Sequence, residues 1–414
     1  MLKVASLFSG CGGLDLGILG NFSFMGKHYS KNNFEIVFAN DCDNDAVNTY
    51  KANSSYFHDK YLVRGDIRNL QLTSFPEFDV LFAGFPCQPF SNAGNRKGVN
   101  DDNGRGTLWE ECEKIIKNSI ANFTEKPKAF VFENVRGIMS SKMDNGRTVP
   151  EEIRYRMEAL GYTVSMKLLN ASHFGVPQNR HRFFIVGVRS DIGKFNFNDM
   201  DNIVESENLP SATHSPYGVL LGTLLCDIPD NAPQRNDYWK YSPQGQNMIE
   251  RIGPCVNGED ALVLFKNKIP LEAMPTTISL GRSWKNIEPN ELPPRFRRIY
   301  DDPKKYHAPN FYRRFALGEI AGTITASAQP ENCGITHPYE NRRFSIREIA
   351  RIQSFPDDFI FPYQSIASAY KVIGNAVPPV LGWVIARALQ NHLLKGKSNA
   401  KNNQQAVFFQ MSLL

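Results

Sequence analysis

The chain has no C-x-x-C pair. Its 7 cysteines are scattered through 414 residues. An odd, dispersed set supports neither a disulfide framework nor a zinc site, and points to a reducing cytoplasm. No apolar run approaches the length of a membrane span. Met1-Leu2-Lys3-Val4 passes straight into strand-like sequence, without the pattern of a signal peptide. Excess charge of either sign is also lacking. The formal net charge is +5, which permits a polyanionic partner without demanding one. There is no internal repeat. Hydrophobic residues make up 42% and charged residues 21%, the balance of a globular protein with room for two domains.

What is present centres on Gly84-Phe85-Pro86-Cys87-Gln88-Pro89-Phe90-Ser91. An apolar run ending at Ala83 reads as a buried strand, and Gly84 ends it. Pro86 and Pro89 fix φ on either side of Cys87 and remove two backbone donors. The thiol therefore sits on a stiff turn at a strand end, where open α/β sheets place reacting groups. Either an exposed nucleophile or an inert buried cysteine fits this octapeptide alone.

Strand-like and helix-like stretches alternate over the first 190 or so residues, from Lys3-Val4-Ala5-Ser6-Leu7-Phe8 to the apolar run after Arg182. This predicts a doubly wound α/β domain over 1–191. From 192 to 337 the periodicity weakens and basic residues cluster with aromatics, as in Arg295-Phe296-Arg297-Arg298 and Tyr312-Arg313-Arg314-Phe315. A second, smaller domain rich in loops and short strands is expected there. From 338 to 395 the helical pattern returns, with Ser345 and Glu348 spaced as a capping box. The Asn/Gln/Lys-rich tail, 396–414, is expected to be flexible.

Several motifs carry chemistry. Phe8-Ser9-Gly10-Cys11-Gly12-Gly13 is a Gly-rich strand-to-helix loop, but its spacing is neither a P-loop nor G-x-G-x-x-G. Asp41 ends the second predicted strand, where a carboxylate can take ribose hydroxyls. Asp66 ends the third, within reach of an adenine amino group. A nucleoside cofactor without phosphates suits this set, and S-adenosylmethionine is one. Glu133, in Phe132-Glu133-Asn134-Val135, follows the fifth predicted strand. Arg180 and Arg182, in Gln178-Asn179-Arg180-His181-Arg182, are two apart on extended chain and should point the same way. A thiol, a carboxylate and a guanidinium in one cleft suit attack on an electron-poor ring. Taken singly, each of these residues is as well explained by turn chemistry or surface pairing.

Taken together, in this order, the motifs resemble those of the cytosine-5 DNA methyltransferases of bacterial restriction–modification type. The resemblance continues through Arg343-Phe344-Ser345-Ile346-Arg347-Glu348, Gln353-Ser354-Phe355-Pro356 and Gly374-Asn375-Ala376-Val377-Pro378. It covers nearly the whole chain outside the middle segment. It implies a methyltransferase fold with a mixed sheet, S-adenosylmethionine as cofactor and double-stranded DNA as substrate. It implies catalytic roles for Cys87, Glu133, Arg182 and Arg180, and cofactor contacts from Phe8, Gly10, Gly13, Asp41, Asp66, Ile67, Pro86, Leu108 and Asn375. Cys42 stands where the family often has a bulky apolar residue over the adenine, which puts the tightness of that packing in question.

For DNA, the same resemblance points to Gln88, Ser91, Arg295, Arg297, Arg298, Arg313, Arg314 and Thr325, with 192–337 as the target-recognition domain. The Gly-, Asn- and Asp-rich stretch from Ser91 to Thr107 matches a loop that closes over DNA. A cytoplasmic, nucleoid-associated monomer is expected, with a cognate endonuclease as a possible partner acting on the same site. A tRNA cytosine-5 methylase on the same fold is disfavoured by the size of the middle segment and by the lack of a Cys-Phe-Thr tripeptide. A decayed DNA-binding relative is disfavoured by the intact Cys87, Glu133 and Arg182.

Overall fold

The computed structural model describes residues 1–72, 75–86, 105–255, 258–302, 310–329 and 333–411. β1 (Leu2–Leu7) leads into α1 (Gly13–Leu19). A hairpin of β2 (Phe22–Phe24) and β3 (Lys27–Tyr29) precedes β4 (Phe34–Asp41), and α2 (Asn44–Ala52) follows. β5 (Leu62–Arg64), β6 (Val80–Ala83), α3 (Trp109–Asn122), β7 (Ala129–Val135), α4 (Val149–Ala159), β8 (Tyr162–Asn170) and β9 (His181–Arg189) complete the first half. The 7-stranded sheet has the order β5-β4-β1-β6-β7-β9-β8. β5 to β7 run parallel, and β9 is antiparallel to both of its neighbours.

Strand alternation builds two cores, one on each face. Val4, Phe82, Val131 and Val186 join the core that contains α1 and α12 (Pro379–Met411). Ala5, Leu81, Phe130 and Ile185 join the core that contains α3 and α4. Both faces are covered, as a largely parallel sheet requires. The chain leaves β1 toward β4 and β5, then returns to β6 on the other side of β1. That reversal opens a crevice at the carboxyl ends of β1 and β6.

After β9 come α5 (Asn198–Ser206), α6 (Leu221–Leu225), α7 (Pro243–Ile252), α8 (Gly258–Lys266), β10 (Arg282–Ser283), α9 (Pro294–Asp301) and β11 (Arg313–Arg314). Among the described residues, this segment's only ladder is the two-residue pairing of β10 with β11. It is built from short helices and turns rather than the expected strands. Proline at the first helical position starts α7, capped by Ser242, and α9, a use of proline that helix termini favour. A separate small core gathers Ile249, Ile252, Trp284, Phe296 and Phe311.

α10 (Ile346–Ile352) and α11 (Ile366–Asn375) then bring the chain back to the sheet. The Ser345–Glu348 capping box is present on α10. α12 continues to Met411, beyond the predicted start of a flexible tail; no proline interrupts it. The stretch Ile366–Lys395 is long and apolar enough to cross a membrane, but 89% of its apolar window is buried inside the protein.

Candidate active site

A cavity of about 350 Å3 occupies the crevice at the topological reversal. Its wall takes residues from five places: the loop after β1 with the start of α1, the end of β4 with the start of α2, the chain after β6, the end of β7 with the start of β9, and the end of α11 with the α11–α12 junction. Of the predicted residues, Phe8, Gly10, Gly13, Asp41, Pro86, Glu133, Arg182 and Asn375 line it. So do Ser9, Cys11, Cys42, Asp43, Val372, Ala376 and Val377, among others. Sequence spacing alone gave most of these no role. Cys87, Gln88 and Ser91 lie outside the described residues, although Pro86, on the wall, immediately precedes Cys87.

The Gly-rich loop is shaped by two glycines for different reasons. Gly10 has φ +58 and nothing within 4 Å of where a Cβ would stand, so it holds a left-handed turn beside open space. Gly13 permits contact: a Cβ there would lie 2.5 Å from the carbonyl oxygen of Val377. Asp41 braces the loop from the side. Its Oδ2 accepts from Gly10 N at 2.8 Å and its Oδ1 from Asp43 N at 2.8 Å. Burial raises the Asp41 pKa, and these amides oppose the rise. Each carboxylate oxygen has a second lone pair with which to accept a ligand hydroxyl.

Beneath the loop lies a polar network that sequence reading missed. Asp15 on α1 is fully buried and accepts from Ser6 Oγ at 2.5 Å and Tyr50 OH at 3.0 Å. Ser9 Oγ donates to Ser6. An Asp on a predicted helix face otherwise made of Leu, Ile and Gly was the available signal.

On the opposite wall, the register of β7 and β9 places Val135 against Arg182 and Glu133 against Phe184. Glu133 and Arg182 are thus diagonal neighbours on one face, and Glu133 Oε1 lies 2.7 Å from Arg182 Nε. Glu133 belongs to the strand rather than following it. Burial raises its pKa, against the opposing charges of Arg182 and Arg180. Asn134 points the other way; its Nδ2 donates to Phe85 O at 3.1 Å. That bond fixes the chain entering Pro86.

Arg180 does not share the cavity wall with Arg182. It precedes the first residue of β9, so strand alternation does not carry across to it, and it is completely buried. Its Nη1 donates to Ile324 O at 2.9 Å, and its Nη2 to Gly374 O at 2.8 Å and Ala376 O at 3.0 Å. Gln178 Oε1 accepts from Ile324 N at 3.0 Å, and its Nε2 donates to Gln353 Oε1 at 2.5 Å. Gln353 Nε2 in turn donates to Ile373 O and Ala376 O. The expected catalytic Arg180 is thus the centre of a clasp. It joins three segments: 178–180, the 323–325 element and the α11–α12 junction.

Other expected residues lie elsewhere. Asp66 caps the turn Ile67–Asn69 and pairs with Arg68 at 2.5 Å. Ile67 and Leu108 are buried in the core on the α3 side. None of the three is on the cavity wall. Arg295, Arg297 and Arg298 are exposed on α9, with Phe296 turned into the small core. Arg297 pairs with Asp301 at 3.1 Å, and the Arg295 guanidinium lies 5.8 Å from the Phe311 ring centroid. Arg313 is half-buried, paired with Glu319 and stacked over Phe315. Arg314 is not a surface group. Alternation along β11 turns it inward, fully buried, where it donates to His337 O, Glu340 O, Ile249 O and Asn341 Oδ1. Thr325 is half-buried, and its backbone rests on Gly374, where a Cβ would come within 2.5 Å.

Residues 2–391 match the model of the C-5 cytosine-specific DNA methylases. The chain is 32% identical over 408 residues to the Type II methyltransferase M.FnuDI of Fusobacterium nucleatum, covering 99% of this chain and 100% of that one. It is 40% identical over 378 residues to the Type II methyltransferase M.Bsp6I of Bacillus sp., covering 91% and 95%. Two solved structures share its fold. A DNA modification methyltransferase encoded within an E. coli prophage aligns with TM-score 0.57 at 21% identity, covering 95% of this chain and 99% of that one. The S. pombe Dnmt2 methyltransferase aligns with TM-score 0.56 at 18% identity, covering 94% and 99%.

Proposed function

The chain belongs to the C-5 cytosine-specific DNA methylases and is a DNA cytosine-5 methyltransferase, and from that premise we propose how its residues divide the work. The observation that carries the proposal is the Glu133–Arg182 pair on the cavity wall, which Pro86, the residue before Cys87 in the sequence, also lines. The chain's 1–191 and 338–395 form the catalytic part and 192–337 reads the DNA sequence.

S-adenosylmethionine suits the cavity. Among the described lining residues there are three carboxyl groups, Asp41, Asp43 and Glu133, and one cation, Arg182. This balance favours a sulfonium and ammonium ligand over a phosphate-bearing one. Asp41 would take the ribose hydroxyls. Phe8, Gly10, Gly13, Pro86 and Asn375 would enclose the rest, and the cofactor would supply the methyl group.

The target base has to leave the duplex to reach this depth. The Cys87 thiolate adds to C6 of cytosine, and the electron pair of the C5–C6 bond becomes available at C5. Glu133, kept ready to hold a proton by its desolvated position, engages N3 and the exocyclic amine. Arg182 holds the ring carbonyl as charge builds there. C5 takes the methyl group, the C5 proton is lost to a base, and the Cys87–C6 bond breaks to restore the ring. Arg180 serves by positioning. A restriction–modification setting is proposed from the Type II relatives, with an endonuclease acting on the same site, for a monomer working on DNA in the bacterial cytoplasm.

The test is trapping. Bisulfite mapping of DNA from cells expressing the protein gives the site. A duplex with 5-fluorocytosine at that position should form a denaturation-stable adduct with the native chain and none with Cys87→Ser. A native enzyme that methylates the site but leaves no adduct removes the covalent role of Cys87.

A further inference from the structure

The C-terminal edge of the sheet continues beyond the cavity, and what it carries there has no part in the chemistry above. Val135 and Arg182 line the cavity and pair across β7 and β9. The antiparallel register therefore brings the next residues outward, Arg136 and His181, abreast at the strand mouths. His181 pairs on its other side with Asn170 of β8. The turn after β8, Ala171–Phe174, adds His173. Arg136, His173 and His181 are all exposed. Two of them adjoin wall residues directly in the chain, and the row leads away from the Glu133–Arg182 pair over the surface.

We propose that Arg136, His173 and His181 form a phosphate-binding row on the catalytic half of the enzyme, which grips the DNA backbone beside the extruded cytosine. The proposal rests on the reading of Glu133 and Arg182 as the base pocket. A nucleotide turned into that pocket carries its own phosphates to the pocket's rim, and among the described residues Arg136 and His181 adjoin wall residues there, with His173 near His181. Phosphate contacts position a duplex without reading it, so the row complements the middle segment and does not duplicate it.

The electrostatics agree. Partial desolvation, and then the positive charges of Arg136, His173 and Arg182, hold the His181 pKa below its ordinary 6.5. Among the described residues, every charge acting on that ring is positive: Arg136 from the end of β7, Arg182 from its own strand and His173 from the turn after β8. A phosphate against the ring reverses the balance and raises its pKa, so binding takes up a proton. Affinity should then strengthen as pH falls through the bound-state pKa and level off below the free-state one.

The experiment measures Kd for a duplex holding the mapped site, as a function of salt and pH. Arg136→Ala should reduce the slope of log K against log salt by about 0.9, the value of one duplex phosphate contact, and Arg136→Lys should restore it. His181→Gln should weaken the strengthening seen with the native chain between about pH 7.5 and 5.5, around the ordinary imidazole range, and His173→Gln with His181→Gln should abolish it. Affinity for S-adenosylhomocysteine should not move in any of the variants. A native salt slope in Arg136→Ala, with native pH dependence in His181→Gln, overturns the row. These readings are independent of the 5-fluorocytosine adduct. Loss of the adduct with altered slopes removes the base-pocket reading alone; a normal adduct with unaltered slopes removes the row alone.

Discussion

Among the carboxyl groups near the cavity that are taken out of water, Glu133 and Asp15 have partners that differ in kind. Glu133 meets a guanidinium 2.7 Å away. Asp15 meets two hydroxyls, from Ser6 and Tyr50, which stabilise a carboxylate less than a charge does. Burial accordingly lifts Asp15 from its ordinary 3.8 to about 6. The sign for stability follows. Below about pH 4 the group is protonated in both the folded and unfolded chain and contributes nothing. As pH rises toward 6 the unfolded chain gives up its proton first, so stability falls, by on the order of 3 kcal/mol in total at ~1.4 kcal/mol per unit. Asp15→Asn cannot ionise. In urea unfolding, native minus variant stability should decline between pH 4 and pH 6.5; a difference that stays flat would mean that Asp15 titrates normally in the fold.

At the scale of elements, the cavity wall depends on how closely α1 and α12 approach. A Cβ on Gly17 would lie 2.5 Å from Pro379 O and 2.6 Å from both Gly382 C and Trp383 N. Helix backbones in contact leave no room for a methyl group. Because α12 begins just after Asn375, Ala376 and Val377, which line the cavity, a displaced α12 moves the wall. Gly17→Ala should cost about 1–3 kcal/mol from overpacking and weaken S-adenosylhomocysteine binding with it. Calorimetry and thermal melts read both, and a variant native in each would show that the contact is slack. Much at this scale was legible in the sequence. The order of strands and helices in the first half, the Ser345–Glu348 cap and the place of Asn375 beside Phe8, Gly10 and Gly13 followed from periodicity, cap chemistry or family resemblance. Tertiary partners were harder to see. Arg180 and Arg182 look equivalent in sequence; the carbonyls that bury Arg180 come from residues 324, 374 and 376. Arg313 and Arg314 look equivalent until β11 fixes which one faces in. Asp66 was legible as a strand-end carboxylate, but its neighbour Arg68 takes that carboxylate.

For the whole molecule, the question is where the segment proposed to read DNA ends and the proposed catalytic body begins. A composition change near residue 192 marks a boundary in the sequence, yet burial crosses it. Met200, Ile203 and Val204 of α5, and Leu221, Leu224 and Leu225 of α6, lie in the same core as α10 and α12. Arg351 of α10, almost fully buried, donates to Leu224 O at 2.6 Å and pairs with Asp227 at 2.6 Å. Arg347 reaches Pro233 O at 3.0 Å. Arg351 keeps Asp357, and Arg347 keeps Pro356 O and Phe359 O, so an exchange that loses Asp227 and shifts the 224 and 233 carbonyls removes part of each guanidinium's bonding, at about 1.5–3 kcal/mol for each charged hydrogen bond lost. The small core around Trp284 and Phe296 has no such tie to the sheet helices among its members. Two chimaeras with a relative of different site preference separate the possibilities. One exchanges 192–337 and the other 238–337, the second keeping α5, α6, Asp227 and Pro233 native. The second should fold, bind S-adenosylhomocysteine and methylate the donor's site, while the first should be lost to aggregation or bind cofactor poorly. Equal behaviour of the two would place the working boundary at 192. A second chimaera that folds but keeps the native site preference would put sequence reading outside 238–337 altogether.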